Sequence, residues 1–547
     1  MKKLIFCFTV FFVFNFTADA RQIISENQQT VKQQLHSKFL KETQHFKIFL
    51  PESFHEASDA HRYPVILLLE DKFFHLTTGI VQHLSLVNRM PESIVVSLEN
   101  GPVVPKLYTN GSDFWPEDWK QLPFGKSPEK FVAFVEKELF PYLENNYRAN
   151  DYRIVIGFSG TSIFALHALA KAPHLFDAHV AIAAGDILGM GYQEGKSLID
   201  EFEQNLSSTN RFKNILYVTS ADGDVETAPM IGRNLKELDT RLDQYNGDTF
   251  RYISKVYHNE NHYDVALPAL GEAFNLIFPK SKWSADYREL SAEDGNALAN
   301  IDAYYQQLSK DYGVTFLPMA ERWNSVNSLR WVGLNLLQRN RIAEAIKVLD
   351  RRVQYRPRSV NAHADLSKAY EQYGQVNKAI EIQEKAVQLA TKQELEPVGR
   401  FIEKLSELYA KAGIQKPAIS VDDDQNGKLS KYQLTKIFEN YNQIRAKVFS
   451  DNSTVADVDS LFAFYTDSFT YNHPDYGGIY SRGLLYNNTV KFLKAGRYKS
   501  SPSRNILNMI VGLNAIIIEE QYAGSSEKTV TLYKFAGDKI NYIEEYW

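Results

Sequence analysis

The sequence predicts a multidomain chain in which a doubly wound, mostly parallel α/β sheet is followed by α-helical repeats and then by a smaller α+β domain. Apolar runs of strand length alternate with helical segments up to about residue 280, which is typical of a parallel sheet. A 34-residue spacing recurs within 326–413. In 431–547, helical segments precede several strand-like runs. The length of 547 residues exceeds what one hydrophobic core usually serves.

The first twenty residues have the features of a secretory signal. Lys2 and Lys3 precede an apolar run over 4–16, and Ala18-Asp19-Ala20 fits a cleavage site. The sequence therefore predicts a signal peptide over 1–20 and a secreted or periplasmic protein. Cys7 is the only cysteine and lies inside this segment, so we expect a mature chain without disulfides.

Charge and hydropathy argue against two classes of partner. The formal net charge of −5 is close to balance, so the sequence indicates neither nucleic acid nor an anionic membrane surface as a partner. No segment after the signal is long and apolar enough to be expected to span a bilayer.

The α/β domain is predicted to occupy 21–280. Its strands are predicted from continuous apolar runs, which are expected where a strand is buried on both faces. These runs lie at 63–69, 93–98, 179–184, 214–220 and 250–257, and a further run ends at Gly157. Helices are predicted at 128–146, after Thr161 and at 268–278.

Ser159 stands at a junction that predicts a nucleophile elbow. A β-branched run ends at Gly157 and a helical pattern begins near Thr161, so the serine would sit at the tip of a sharp strand–turn–helix. The first N–H groups of the helix would then face a developing oxyanion. The usual G-x-S-x-G pattern has glycine where this chain has Thr161. The alternative is an ordinary turn in which the serine caps a helix.

Two carboxylates and a histidine complete a candidate triad. Asp222 and Asp224 follow one predicted strand, and His262 follows the next. The order serine, acid, histidine is that of α/β-hydrolases. Ser159 would attack, His262 would act as general acid–base, and Asp222 or Asp224 would orient the imidazole. The alternatives are a surface histidine and a turn-forming aspartate.

A family resemblance is carried by 127–186, by Glu260-Asn261-His262 and by Leu-Pro-Ala-Leu at 267–270. These stretches resemble the esterase D family of α/β-hydrolases, which includes siderophore trilactone esterases, acyl and feruloyl esterases and mycolyltransferases. The resemblance implies a serine esterase that needs no cofactor and acts on a small-molecule or polysaccharide ester. It also implies a backbone oxyanion hole, with one N–H from Gly160 and one from Asp71.

Three functions follow from these residues and stay open at this point. The first is an exported serine esterase that hydrolyses a carboxylic ester or lactone, with siderophore lactones and sugar or feruloyl esters as unseparated substrate classes. The second is a binding or assembly protein built on a weak or inactive hydrolase fold, which Thr161 and the Glu70-Asp71 turn favour because both depart from the family pattern. The third is an acyltransferase that excludes water.

The region 326–413 resembles tetratricopeptide repeats and follows a predicted helical connector over 281–325. Ala345-Ile346 recurs as Ala379-Ile380 after 34 residues, the tetratricopeptide period. Such repeats would serve as a peptide-binding groove or as a rigid spacer that helps the chain self-associate.

An acidic linker over 414–430 resembles the start of an EF-hand loop. Asp422, Asp424 and Asn426 occupy the first, third and fifth positions of the loop 422–433, and oxygen ligands at this spacing suit Ca²⁺. Gln433 stands where a bidentate Glu is expected. The alternative is an acidic linker that caps the next helix.

The region 431–547 resembles the SnoaL-like, nuclear-transport-factor-like cone, on 461–474, 512–515 and 539–547. Such cones hold a pocket. We expect four residues either to line this pocket or to lie at its rim: Asp467, His473, Asp475 and Arg482. The resemblance assigns no function, because the fold hosts enzymes, binders and dimerisation modules. A protein partner or self-association through the repeats and this domain is therefore a further expectation.

Overall fold

The computed structural model describes residues 29–99, 128–192, 195–208, 213–321, 326–393, 399–414, 429, 431–473, 478–498 and 504–546. The predicted signal peptide over 1–20 lies outside these ranges. The chain divides into two units, Met1–Leu290 with Ala299–Asn327 and Ser291–Leu298 with Ser328–Trp547. No helix among the described residues is long and apolar enough to cross a membrane.

The first unit is organised around an eight-stranded mixed sheet. Its strand order is β1-β2-β4-β3-β5-β6-β7-β8. The strands are β1 (Thr30–Ser37), β2 (Glu42–Phe49), β3 (Tyr63–Leu68), β4 (Ile94–Leu98), β5 (Ala149–Phe158), β6 (Ala178–Ile182), β7 (Asn214–Ala221) and β8 (Phe250–Tyr257). Each pair from β4 to β8 along this order is parallel, while β1 pairs with β2 and β2 with β4 in the antiparallel sense. The predicted apolar runs are thus confirmed as the parallel strands.

Burial explains why the apolar runs became central strands. Every residue of β3, β4, β6 and β7 is buried, as expected where helices cover both faces of a parallel sheet. By contrast, β1 and β2 lack a continuous apolar run, since more buried side chains alternate with more exposed ones along most of each strand, and neither strand was predicted. The carboxyl ends of the parallel strands meet at one edge, where the candidate residues of the triad lie.

Helices flank this sheet in the order expected for a doubly wound fold. They are α1 (Phe74–Leu86), α2 (Pro128–Phe134), α3 (Phe140–Tyr147), α4 (Ser162–Lys171), α5 (Leu198–Ser208), α6 (Asp222–Thr227), α7 (Met230–Leu242), α8 (Ala266–Ile277), α9 (Tyr287–Leu290) and α10 (Ala297–Tyr312). A π-helical turn, Val135–Leu139, joins α2 to α3. Gly313 follows α10 with φ of 75°, a left-handed conformation that glycine adopts readily at the end of a helix.

The second unit begins with antiparallel helices. They are α11 (Leu329–Gln338), α12 (Ile342–Tyr355), α13 (Val360–Gln372), α14 (Val376–Lys392) and α15 (Gly399–Ala412). Asn340 and Gly374, 34 residues apart, both adopt positive φ in the turns that end α11 and α13. A Cβ at Gly333 would meet the Leu349 side chain at 2.5 Å, so glycine permits close packing of α11 on α12. The helical hairpins fit the predicted repeat, and their assignment as tetratricopeptide repeats stays a prediction.

The rest of the second unit combines helices with a six-stranded sheet of order β10-β9-β14-β13-β12-β11. The helices are α16 (Lys431–Val448), α17 (Val455–Phe462) and α18 (Arg482–Lys494). The strands are β9 (Tyr465–His473), β10 (Gly478–Ser481), β11 (Arg504–Val511), β12 (Ala515–Tyr522), β13 (Lys528–Ala536) and β14 (Lys539–Tyr546). One apolar core joins α16 and α17 to the inner face of this sheet. The α+β class is as predicted, and the SnoaL-like assignment stays a prediction.

Candidate active site

Ser159 lies in a strained, sharply turned backbone directly after β5. Its φ of 49° falls in the left-handed region, which residues with a β-carbon rarely adopt. A 3-10 turn, Ser159–Thr161, leads straight into α4. A Cβ at Gly157 would lie 2.5 Å from the Cα of Ser162, so only glycine allows the helix to fold back this tightly on the strand. The local geometry is that of the predicted elbow.

Thr161, the departure from the usual pattern, spans this turn with its side chain. Its buried hydroxyl accepts a hydrogen bond from the N–H of Phe158 and donates one to the carbonyl of the same residue, both at 2.8 Å. The two bonds tie the residue before Ser159 to the residue two positions after it. The threonine is therefore accommodated in the turn and fixes it, in place of the close packing that a glycine would provide.

His262 is held by Asp224. The imidazole Nδ1 lies 2.9 Å from the Asp224 carboxylate, at the ends of β8 and β7. The hydrogen bond to Asp224 is the main reason that the pKa of His262 is raised above its usual value. Because Nδ1 is engaged, Nε2 is the ring nitrogen that remains for proton exchange with a nucleophile.

Asp222, the other candidate acid, contacts the backbone of the histidine loop. Its carboxylate accepts N–H groups from Asn259 at 2.7 Å and Glu260 at 3.2 Å, and also from Gly223 at 3.0 Å. These bonds, led by the one from Asn259, lower the pKa of the Asp222 carboxyl. Of the two alternatives that the sequence left open, the structure brings Asp224 onto the imidazole and gives Asp222 the task of anchoring the loop.

The turn after β3 begins at Asp71, whose partly buried carboxylate is held by neighbouring side chains. Its carboxylate accepts hydrogen bonds from Lys47 Nζ at 2.7 and 3.0 Å and from the Ser97 hydroxyl at 3.0 Å. Asp71 is the first residue of a 3-10 turn and Gly160 is the second residue of another. The first N–H groups of a helical turn have no acceptor within it, so both are suited to receive an external oxyanion.

A series of aromatic ring contacts connects the three loops that carry the candidate residues. Phe158 stacks on Phe73 with 3.9 Å between ring centroids. Phe73 lies 6.1 Å from Tyr263, and Tyr263 lies 4.8 Å from the His262 ring. The elbow, the Asp71 turn and the histidine loop therefore meet at one place.

The Ser159 hydroxyl has no hydrogen bond within the described part of the chain, so the bond from serine to histidine is not formed. Ser159 and Gly160 are both partly exposed at the edge of the sheet. Hydrogen bonds of this kind often tighten only when substrate binds.

Comparison with known protein families finds a similarity in this region. The family described as "Putative esterase" matches residues 37–249, which include β2 to β7, the elbow and both candidate acids. The N-terminal region is an esterase-like α/β-hydrolase domain. No curated protein matches the sequence.

Solved structures also match parts of the chain. An uncharacterised protein from Capnocytophaga ochracea is 17% identical with a TM-score of 0.41, over 70% of this chain and 100% of that one. An IroE-like serine hydrolase from Shewanella oneidensis is 19% identical with a TM-score of 0.45, over 59% and 99%. An enterochelin esterase from Shigella flexneri is 16% identical with a TM-score of 0.34, over 46% and 59%.

Asp186 is a residue of the esterase-like domain that the sequence analysis missed. It follows β6, and its carboxyl interacts electrostatically with both His262 and Asp224. Burial raises its pKa to about 6. The position of Asp186 just beyond a predicted strand, like that of Asp224, was a usable signal.

Outside the esterase-like domain, the predicted metal loop is not described by the structure. Asp422, Asp424 and Asn426 lie beyond the described ranges. Elsewhere, the described residues contain no group of three or more His, Cys, Asp or Glu side chains that could hold a metal ion. Calcium binding at the acidic loop stays a prediction.

The C-terminal candidates are dispersed. His473 is buried, with Nε2 3.8 Å from Glu545, whereas Asp467 is exposed to solvent. Arg482 donates a hydrogen bond to the carbonyl of Phe462 at 3.0 Å and so caps α17. Asp475 lies outside the described residues. The described members of the set therefore do not line one pocket.

Proposed function

We propose that this protein is an exported serine esterase that hydrolyses a carboxylic ester or lactone. The observation that carries the proposal is the hydrogen bond between His262 and Asp224, which lies beside an elbow that presents Ser159. The match of 37–249 to an esterase family supports the same reaction class. Export rests on the predicted signal peptide over 1–20.

The proposed reaction passes through an acyl-enzyme. Ser159 Oγ attacks the carbonyl carbon while its proton moves to His262 Nε2, and Asp224 stabilises the imidazolium. The oxyanion accepts hydrogen bonds from the N–H groups of Gly160 and Asp71. The imidazolium then protonates the leaving alkoxide. Water, deprotonated by the same histidine, releases the acid and regenerates the hydroxyl.

The proposed class of ester substrate rests on resemblance to other proteins and not on contacts in the structure. Matched solved structures include a siderophore hydrolase from Aspergillus nidulans and a ferulic acid esterase. We propose a small-molecule or polysaccharide ester, with siderophore lactones and sugar or feruloyl esters as the classes to test.

The test combines covalent labelling with turnover. Purified mature protein is treated with a fluorophosphonate and assayed with p-nitrophenyl acetate, beside Ser159→Ala and His262→Ala. We expect both variants to lose label and turnover. His258→Ala is the matched control, since this exposed histidine lies four residues from His262 and its ion-pair partner among the described residues is Asp222, at 3.6 Å. An unlabelled, inactive wild-type protein would contradict the proposal.

A second proposal concerns assembly, and strand β11 favours it. This strand is an edge of the C-terminal sheet, and most of its side chains are exposed. Ile506, Leu507, Met509 and Ile510 are 38–66% exposed, and no charged residue occurs in 505–514. Edge strands of monomeric proteins usually carry charges that prevent pairing. We propose that β11 pairs with β11 of a second copy, since a neutral, apolar strand is complementary to itself about a two-fold axis.

Oligomeric state tests this pairing. We expect a dimer by sedimentation velocity and a monomer after Ile510→Lys. Ile479→Lys is the control, because Ile479 is 69% exposed on β10 at the opposite edge of the same sheet. A wild-type protein that stays monomeric at every concentration would overturn the proposal.

A further inference from the structure

We propose that Asp186 determines substrate specificity by binding a hydrogen-bond donor, a hydroxyl or a protonated amine, on the substrate near the scissile ester. This inference rests on the proposed esterase function and names the substrate class of that site. Neither the family match nor the triad requires a residue in this role.

Sheet topology places Asp186 between the catalytic candidates. Strand β6 lies between β5 and β7, with Ile182 opposite Phe158 and Ala181 opposite Val218. The three strands are parallel, so the residues beyond their carboxyl ends share one edge. Ser159 follows β5, Asp186 follows β6 and Asp224 lies just beyond β7. Asp186 therefore follows the strand that lies between the strand before the nucleophile and the strand before the acid.

The backbone around Asp186 is fixed. The Ser220 hydroxyl accepts the N–H of Gly185 at 2.9 Å, and the Asn234 side chain donates to the Gly185 carbonyl at 3.0 Å. The N–H of Gly189 donates to the Asp186 carbonyl at 3.1 Å. A recognition residue needs such a rigid position, because a displaced acceptor loses its geometric selectivity.

Among the described residues, the Asp186 carboxyl pairs with no Lys or Arg side chain, and its electrostatic partner of opposite charge is His262 when that imidazole is protonated. Its hydrogen bonds come from two backbone N–H groups, its own and that of Ile187. The other acids at this edge are better compensated: Asp71 pairs with Lys47, and Asp224 with His262. A recessed carboxylate without such a partner is unfavourable for folding alone. It keeps acceptor sites for a ligand, since Asp186 remains partly accessible to solvent.

The negative charge at this edge of the sheet determines which ester substrates we expect the site to favour. Asp186 and Asp224 lie close enough for each to raise the electrostatic energy of the other's negative charge. An ester that bears a carboxylate or phosphate beside the reacting group would add a third negative charge. A donor on the substrate would instead relieve the repulsion. We therefore expect hydroxylated or amine-bearing esters to be favoured over anionic ones.

Two isosteric pairs of acetate esters test the inference. 2-(Dimethylamino)ethyl acetate, protonated at neutral pH, is compared with 3-methylbutyl acetate, and 2-hydroxyethyl acetate with propyl acetate. Acid release in a pH-stat gives kcat/KM for each ester. A hydrogen bond to a charged acceptor predicts about a 10- to 100-fold preference for the donor ester in at least one pair.

Variants then assign the preference to one carboxyl and identify the donor. Asp186→Asn should abolish the amine preference, because the charge is lost, and retain part of a hydroxyl preference. Asp186→Ala should abolish both. If one variant fails to fold, the other still tests the inference. Glu226→Gln is the control, since it removes an exposed negative charge from the loop after β7 and should leave both ratios as in the wild type.

Three outcomes would overturn the inference. Ratios near one in the wild type would show that no donor is recognised. Asp186 variants that slow every ester equally and shift the pH profile would assign the residue to positioning His262. Absence of hydrolysis and of fluorophosphonate labelling in the wild type would overturn the esterase function itself, a result distinguishable from the first two.

Discussion

The esterase-like domain and the C-terminal unit both place ionisable side chains on or near the strands of a sheet. The two regions differ in how fully neighbouring side chains pair with these groups. At the esterase-like site, the His262 side chain is 36% exposed and has one carboxylate partner. In the C-terminal unit, Arg445 lies 3.2 Å from Glu520 and 3.3 Å from the Tyr533 hydroxyl, and Arg504 lies 3.0 Å from the other oxygen of Glu520. Glu520 is 1% exposed.

This difference separates groups that remain available to a ligand from groups that are engaged in stabilising the fold. In the C-terminal unit, the buried Glu520 carboxylate is neutralised by Arg445 and Arg504. At the esterase-like site, Nε2 of His262, the Ser159 hydroxyl and the Asp186 carboxyl form no hydrogen bond with another side chain among the described residues. Substitutions should therefore affect turnover in the first region and stability in the second.

The largest effect is expected at Asp224. Asp224→Asn removes the carboxylate that fixes the His262 tautomer, so kcat should fall by about 10³- to 10⁴-fold. Asp222→Asn should lower kcat far less, because Asp222 contacts the loop backbone and not the imidazole. Turnover of p-nitrophenyl acetate by both variants measures the difference. Equal losses would assign the two carboxylates the same role.

The pH dependence of kcat/KM distinguishes the roles of Asp224 and Asp222 further. The general base must be neutral, so kcat/KM should fall as pH drops through the raised pKa of His262. In Asp224→Asn the charged acceptor is gone, so the pKa of His262 should fall and the acidic midpoint should move to lower pH. A pH profile of kcat/KM checks this shift. For Asp222→Asn the midpoint should stay in place, and a shift there would contradict the assignment.

The next effect belongs to the C-terminal unit. Arg445→Met leaves the buried Glu520 with Arg504 alone, which should lower the free energy of unfolding of this unit by about 3 kcal/mol. Proteolysis in a urea series measures stability, while ester turnover without urea should persist. Lys528→Ala breaks the exposed pair with Glu519 and should change stability by less than about 1 kcal/mol. Similar values for the two variants would contradict the buried network.

The smallest effect is expected at Thr161. Thr161→Val keeps the shape but leaves the Phe158 N–H without its acceptor, which should destabilise the esterase-like domain by about 1–3 kcal/mol. A moderate fall in kcat should accompany this change, because Ser159 lies between the two tied residues. Thermal unfolding and turnover are the measurements. Thr161→Ser retains the hydroxyl and should behave like the wild type.

Sequence patterns predicted the parts of the fold that local chemistry dictates. The strand from Asn214 was readable because a fully buried parallel strand must be apolar throughout. Strand β1 was missed because an edge strand with one wet face alternates, as Thr30–Ser37 does. The elbow was readable from the small residues around Ser159. The two hydrogen bonds between the Thr161 hydroxyl and the backbone of Phe158 could not be predicted, because they depend on the rotamer of the threonine side chain.

The candidate site shows the same division. Spacing placed Asp222 and Asp224 at the right strand end but could not choose between them, since the choice depends on how α6 turns each side chain. The resemblance to a SnoaL-like cone suggested a C-terminal pocket around His473, because the sequence does not show whether a histidine and a carboxylate face water or each other. Burial of Glu545 beside His473 is a tertiary property.

The left-handed backbone of Ser159 has a consequence for thermostability engineering. A residue with a β-carbon held in this conformation costs about 1 kcal/mol or more, which glycine avoids. Ser159→Gly should therefore raise the melting temperature while ending nucleophilic catalysis. A lineage released from the need to turn over substrate would tend to drift toward glycine at this position. Directed evolution for heat resistance alone would select against the nucleophile, unless each round also screened for turnover.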